Sequence, residues 1–265
     1  MNTTEDKLKA FQRLLDVMDE LRLKCPWDKK QTFESLRANT IEETYELCDA
    51  IMKKDMKEIR KELGDVLLHI VFYSKIASET NDFDIADVCN SLCDKLIFRH
   101  PHVFGEGAAK TAGEVEQTWE QIKRKEKDGN KSVLSGVPDA LPALIKSYRI
   151  QDKTRNVGFD WEEKEQVWDK VKEEFDELMT EVKHLDAEKM EEEFGDLMFS
   201  MVNAARLYKI NPENALEKCN QKFIRRFNYV ESQTLAKGKD LKEMPLEEMD
   251  RYWNEAKKLE REVKN

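Results

Sequence analysis

Eight carboxylates stand in two groups with one internal spacing. The first is Glu43-x-x-Glu46, fifteen residues, then Glu62-x-x-Asp65; the second, 131 residues on, is Glu174-x-x-Glu177, fifteen residues, then Glu193-x-x-Asp196. Residues three apart in a helix share a face, so each group predicts two carboxylate pairs meeting from two antiparallel helices. Four carboxylates converging on one point repel unless a hard cation lies between them; Mg²⁺ is the usual answer, and Mn²⁺ the alternative. A single Glu pair is more simply the wet face of an amphipathic helix, and Thr40-x-x-Glu43 also fits a capping box that would give Glu43 a structural role. Generic acidity does not account for four acids keeping both spacings twice.

Other residues recur beside these groups. His69 follows Asp65 on one helical stripe, and Ser200 follows Asp196 on the matching stripe. The residues after each acidic pair are apolar nearly all round (Val66, Leu67, Leu68, Ile70, Val71, Phe72), which predicts a buried helix. Gly64 and Gly195 each sit inside such a helix at a cost of about 1 kcal/mol relative to Ala, which predicts a close approach of something to the backbone. Lys95 and Arg99 are four apart, as are Lys222 and Arg226, with Arg225 beside them. Alone, such a pair is a solvated face. Following each acidic group at similar distance, both pairs suit a polyanion, and a guanidinium grips phosphate in bidentate fashion. Trp119 with Lys123 and Trp253 with Lys257 also recur at four-residue spacing; each Trp either stacks on a base or anchors its helix. His100 and His102 either help to bind phosphate or cap the helix before them. Glu42 and Glu173, each preceding a ligand candidate, are candidates for a general base.

Positioning these residues takes helices. Amphipathic spacing predicts helices over 5–23, 41–53, 55–79, 83–99, 113–127, 142–154, 163–183, 187–209, 212–233 and 246–263. Asn211-Pro212 is an N-cap followed by Pro at the first helical position. No segment alternates as a strand does. The expected fold class is all-α, with two copies of a small helical unit at 1–127 and 142–265 joined by a turn-rich linker at 128–141. Two loops echo each other, Pro26-Trp27-Asp28 and Gly158-Phe159-Asp160, each placing an aromatic and an Asp before the first acidic helix.

Composition narrows the function classes. A net charge of −10 argues against a broad nucleic-acid or anionic-membrane surface, so no direct nucleic-acid binding is expected. Five cysteines form no C-x-x-C and no zinc set, which fits reduced thiols in a cytoplasmic protein. No apolar run approaches the length of a membrane span, and the N-terminus does not read as a signal peptide.

Cys25-Pro26-Trp27-Asp28, Glu42-Glu43-Thr44-Tyr45-Glu46, Glu62-Leu63-Gly64-Asp65 and Arg99-His100-Pro101-His102-Val103-Phe104 together resemble the MazG family of the all-α NTP pyrophosphatase superfamily. Asn156-Val157-Gly158-Phe159-Asp160-Trp161, Glu192-Glu193-Phe194-Gly195-Asp196 and Lys222-Phe223-Ile224-Arg225-Arg226-Phe227 extend the resemblance to the second half, in the two-repeat form. The resemblance implies Mg²⁺-dependent hydrolysis of nucleoside triphosphates to monophosphate and pyrophosphate, loose base choice, and a homodimer whose helical cores pair across subunits. It makes Glu43, Glu46, Glu62 and Asp65, and Glu174, Glu177, Glu193 and Asp196, the metal ligands. The denser cationic cluster points to the second copy as the main catalytic site. The rival is a non-enzymatic helical dimer that senses nucleotide and divalent ions; release of pyrophosphate separates the two.

Overall fold

The computed structural model describes residues 1–105, 111, 115, 122 and 132–262. The chain divides into two compact units, Met1–Val115 and Glu116–Asn265. Among the described residues every regular element is a helix. Of the helix expected over 113–127 only residues 115 and 122 are described; Trp119 and Lys123 lie outside the described residues.

In the first unit α1 (Thr4–Lys24), α2 (Phe33–Lys53) and α3 (Met56–Glu79) enclose a core of Met18, Leu36, Val71 and Phe72. Next come α4 (Ile85–Arg99) and α5 (Pro101–Phe104), with His100 between them. Helix α2 starts eight residues before the expected 41. Its true cap is Thr32, whose hydroxyl accepts from Ser35 N at 3.2 Å while Ser35 Oγ accepts from Thr32 N at 2.8 Å. Thr40 is mid-helix and caps nothing: its hydroxyl lies 3.0 Å from the Leu36 carbonyl. Glu43 is thereby freed from the capping role.

The second unit holds α6 (Ala143–Arg155), α7 (Val167–His184), α8 (Ala187–Leu207), α9 (Pro212–Ala236) and α10 (Leu246–Glu262). Helix α7 begins four residues after the expected 163, behind a 3₁₀ turn over Lys164–Gln166. Helices α9 and α10 share their own core of Val230, Met244 and Tyr252, with Trp253 packed against it.

Both acidic helix pairs fold back through one device. Lys54 and Leu185 each take φ 57°, and the next residues, Asp55 and Asp186, cap the following helix. A left-handed residue ends one helix while an Asp carboxylate accepts from the first amides of the next. The two links are again 131 residues apart, which is why the acids keep their register.

The apolar helices after each acidic pair are not buried all round. Val71 and Phe72 are inside, but Leu67, Leu68 and Ile70 are exposed, as are Met198, Phe199 and Met201 in the second unit. Nor does anything approach Gly64 or Gly195: a Cβ at either would meet nothing within 4 Å. Within one chain, one side of each helix packs on its own unit and the other stays bare.

Candidate metal centres and an adjoining cavity

Helices α2 and α3 bring ligand atoms of Glu43, Glu62 and Asp65 within 4.8 Å of one another; α7 and α8 do the same for Glu174, Glu177 and Glu193. Glu46 and Asp196, the fourth acids, stand close enough to act electrostatically: the Glu43 carboxyl is held above its ordinary value by burial and by Asp65, Glu46 and Glu62, and the Glu193 carboxyl by burial and by Glu177, Asp196 and Glu174. The spacing suits a shared cation, and the neighbouring carboxylates disfavour the ionised forms of Glu43 and Glu193.

Each cluster holds a lysine that the spacing argument overlooked. Lys61 Nζ lies 2.7 Å from Glu62 Oε1 and 3.9 Å from both Glu46 and Asp65. Lys170 Nζ lies 2.8 Å from both Glu173 and Glu174. These carboxylates push the ammonium pKa up in both cases. The lysines do not satisfy everything. Glu62 is 4 % exposed, and its Oε2 is buried without a hydrogen-bond partner. A buried orphan carboxylate oxygen among three acids fits a hard divalent cation with oxygen ligands.

The repeats differ beside the acids. In the first, His69 and Tyr73 follow Asp65 on successive turns, and both hydrogen-bond the Thr40 hydroxyl, at 2.9 and 2.6 Å. Phe33 stacks on Tyr73 with centroids 5.5 Å apart, and burial pushes the His69 pKa down. In the second repeat the corresponding residues are small, Ser200 and Ala204. There a cavity of about 460 Å³ reaches Glu174, Asp196 and Lys170. Its walls include Phe159, Trp161 and Phe199. Arg206 is buried and pairs both oxygens of Asp160, at 3.0 and 2.5 Å, so the aromatic loop is tied to α8. In the first repeat Arg22 ties the matching loop by donating to the carbonyls of Asp28 and Gln31. The difference in side-chain size four and eight residues after the last acid was readable in the sequence; the loop ties were not, because they join residues far apart in the chain.

The cationic clusters lie on other elements. Lys95 and Arg99 are on α4, and Lys222, Arg225 and Arg226 are on α9. Arg226 is held by Glu260 at 2.7 and 2.9 Å, with its guanidinium 5.6 Å from the Trp253 ring. Trp253 also meets Phe223 at 5.0 Å, and Lys257 lies one turn further along α10. Glu42 and Glu173 are exposed, each next in the chain to an acid of its cluster. His100 Nδ1 lies 2.6 Å from the Leu96 carbonyl, at the end of α4.

The MazG nucleotide pyrophosphohydrolase domain matches residues 31–104 and 162–231, one match over each acidic group. The nucleoside triphosphate pyrophosphohydrolase of Escherichia coli K12 is 44% identical over 260 residues, covering 96% of this chain and 99% of that protein. The nucleoside triphosphate pyrophosphohydrolase/pyrophosphatase MazG of Thermotoga maritima is 45% identical over 93% of this chain and 95% of its own length. The uncharacterized protein YabN of Bacillus subtilis is 44% identical over 97% of this chain, which spans 54% of that protein. The duplicated acid quartets, the two domain matches laid over them and relatives matching end to end agree: the chain belongs to the MazG nucleotide pyrophosphohydrolase family.

Proposed function

We propose that this chain is a divalent-cation-dependent nucleoside triphosphate pyrophosphohydrolase, cutting between the α and β phosphates to release monophosphate and pyrophosphate. The observation that carries this reading is the pairing of an acid cluster with a cavity in the second repeat, in a family whose full-length relatives bear that activity in their names. The ligands are Glu174, Glu177, Glu193 and Asp196, with Glu43, Glu46, Glu62 and Asp65 as the first set, and the ion is Mg²⁺, with Mn²⁺ able to replace it. When bound, such an ion neutralises phosphate charge and lowers the pKa of bound water.

The chain's own residues do the rest. Lys170, now shared by Glu173 and Glu174, is placed to turn toward a phosphate oxygen. Glu173, and Glu42 in the first repeat, are exposed carboxylates beside the ligands and are proposed to orient the attacking water. Lys222, Arg225 and Arg226, with Lys95 and Arg99 in the first repeat, supply further cations, Arg226 on release from Glu260. Trp253 beside Lys257 and the aromatic walls of the cavity are two surfaces on which any base can stack, which fits broad base tolerance. We assign the main catalytic role to the second repeat, where Ser200 lines a cavity that reaches Glu174 and Asp196, whereas the corresponding His69 in the first repeat is engaged with the Thr40 hydroxyl.

The repeats are read as 1–127 and 142–265 with the linker at 128–141, working as a cytoplasmic homodimer without nucleic-acid or membrane partners. No helix among the described residues is long and apolar enough to cross a membrane.

A panel of NTPs and dNTPs with Mg²⁺ tests the reaction. Monophosphate and pyrophosphate are expected, lost in EDTA and restored by Mg²⁺ or Mn²⁺. Diphosphate and inorganic phosphate as first products would place the cut at the γ position and refute the reading. Stabilisation by nucleotide without turnover would establish the sensor instead.

A further inference from the structure

A buried arginine beside a site for polyanions is first read as a phosphate ligand; the bonding of Arg206 gives it another role. Its side chain is buried and lines the cavity of the second repeat. Nε donates to Asn203 Oδ1 at 3.1 Å, Nη1 to Asp160 Oδ2 at 3.0 Å, and Nη2 to Asp160 Oδ1 and Asn203 Oδ1 at 2.5 and 2.8 Å. Every nitrogen of the guanidinium is engaged, and a carboxylate already matches its charge. Taking Asp160 away would leave a buried cation unpaired, which is costly. Arg206 also stands well clear of the acids: ten residues after Asp196 on α8, it is about 15 Å further along the helix axis.

What Arg206 holds is the loop between α6 and α7. The amides of Val157 and Phe159 both donate to the Thr154 carbonyl at 3.1 Å, with Gly158 between them at φ 87°, so the end of α6 fixes the loop as far as Phe159. Asp160 comes next, and its carboxylate is the tie to α8. On either side of it stand Phe159, 80 % exposed, and Trp161, 40 % exposed, both lining the cavity. Aromatic side chains left so bare gain little from burial, so the ion pair, and not packing, decides where they stand. The first repeat ties its matching loop with a different arginine. Arg22 of α1 donates to the carbonyls of Asp28 and Gln31, while Lys75, 131 residues before Arg206, is paired with Asp19 at 2.7 Å. Unrelated residues reach one end in the two repeats, as expected if the position of the loop is what the site requires. We propose that Arg206 is a positioning residue for nucleotide binding: acting through Asp160, it sets Phe159 and Trp161 as walls of the cavity and touches no phosphate itself. This rests on the reading of the chain as an enzyme of nucleoside triphosphates.

Two ligands separate the phosphate end of the site from the loop. Inorganic tripolyphosphate has no nucleoside to meet the aromatic walls; α,β-methylene-ATP, whose bridging carbon resists hydrolysis, has one. Both are titrated by calorimetry with Mg²⁺ present. In Asp160→Asn the affinity for α,β-methylene-ATP should fall about ten- to a hundredfold, the cost of misplacing a binding group by about an ångström, while tripolyphosphate binding is unchanged. In steady-state kinetics with ATP the loss should fall on KM more than on kcat. Hydrogen exchange over residues 156–162, measured without ligand, should quicken. The double variant Asp160→Asn with Arg206→Met removes both charges at once and carries the same expectations if the single variant does not fold. Equal weakening of the two ligands would make Arg206 a phosphate ligand or a general prop, and overturns the proposal; so does unchanged affinity for α,β-methylene-ATP. If the parent protein binds neither ligand, the enzyme reading fails, and loop exchange decides the tie alone: quicker exchange in the variants supports it, and unchanged exchange overturns it.

Discussion

Glu62 and Glu193 occupy equivalent places in the two repeats and meet different surroundings. Glu62 is buried against Lys61; Glu193 is half-buried, and burial and neighbouring acids raise its pKa. Replacing Glu193 by Gln removes a charge and a ligand with little change of shape. We expect turnover to fall by at least about a hundredfold, the upper end of what even a supporting group around a metal is worth, with the helical circular dichroism retained. Glu62→Gln should leave most of the turnover. The opposite pattern in steady-state kinetics would move the main site to the first repeat, and loss only in the double variant would make the sites redundant. The acids were legible because helical spacing alone puts them on one face. Lys61 and Lys170 were not. A lysine near a glutamate is unremarkable in a chain that is 38% charged.

At the level of elements, all the helices expected within the described residues are present, because each carries an apolar stripe of helical period. The starts were less legible. Thr40 imitates a cap, yet Thr32 and Ser35 form the reciprocal pair that begins α2. A tertiary ion pair, invisible in sequence, then fastens the loop before that helix. Arg22 on α1 binds Glu79 at the end of α3 at 2.8 and 2.5 Å and reaches the carbonyls of Asp28 and Gln31. Arg22 holds the Glu79 carboxyl below the ordinary glutamate value, and Glu79 raises Arg22 in turn. A carboxylate depressed on folding contributes stability above its unfolded value and loses it as pH falls toward the folded one. The Glu79 side chain is 39% exposed, so solvent screening keeps the expected loss in Glu79→Gln to about 1 kcal/mol at neutral pH. Urea melts at pH 7 and below pH 4 check this: the gap between variant and parent should narrow in acid as Glu79 itself becomes neutral (ordinary value about 4.3). A gap that is constant with pH would make the contact a packing effect.

For the whole molecule the informative surfaces are the bare sides of α3 and α8. Leu63, Leu67 and Ile70, and Phe194, Met198 and Met201, are exposed next to Gly64 and Gly195, where a close neighbour would find room. Uncovered apolar side chains are a cost in a lone chain; in the homodimer we propose, a second copy laid on these faces would cover them, with Gly64 and Gly195 letting it come close. Sedimentation equilibrium should give twice the chain mass, and Met198→Glu should shift the protein toward monomer. A monomeric parent protein at micromolar concentration would refute the homodimer. Lys61 and Lys170 bear on the proposed metal sites as competitors: an ammonium lies 2.7 Å from Glu62 and another 2.8 Å from both Glu173 and Glu174. On the proposed reading a divalent ion has to win those carboxylates from a cation that is tethered to the chain and cannot diffuse away, so Lys170→Met should lower the concentration of Mg²⁺ needed for half-maximal binding, read by titration calorimetry.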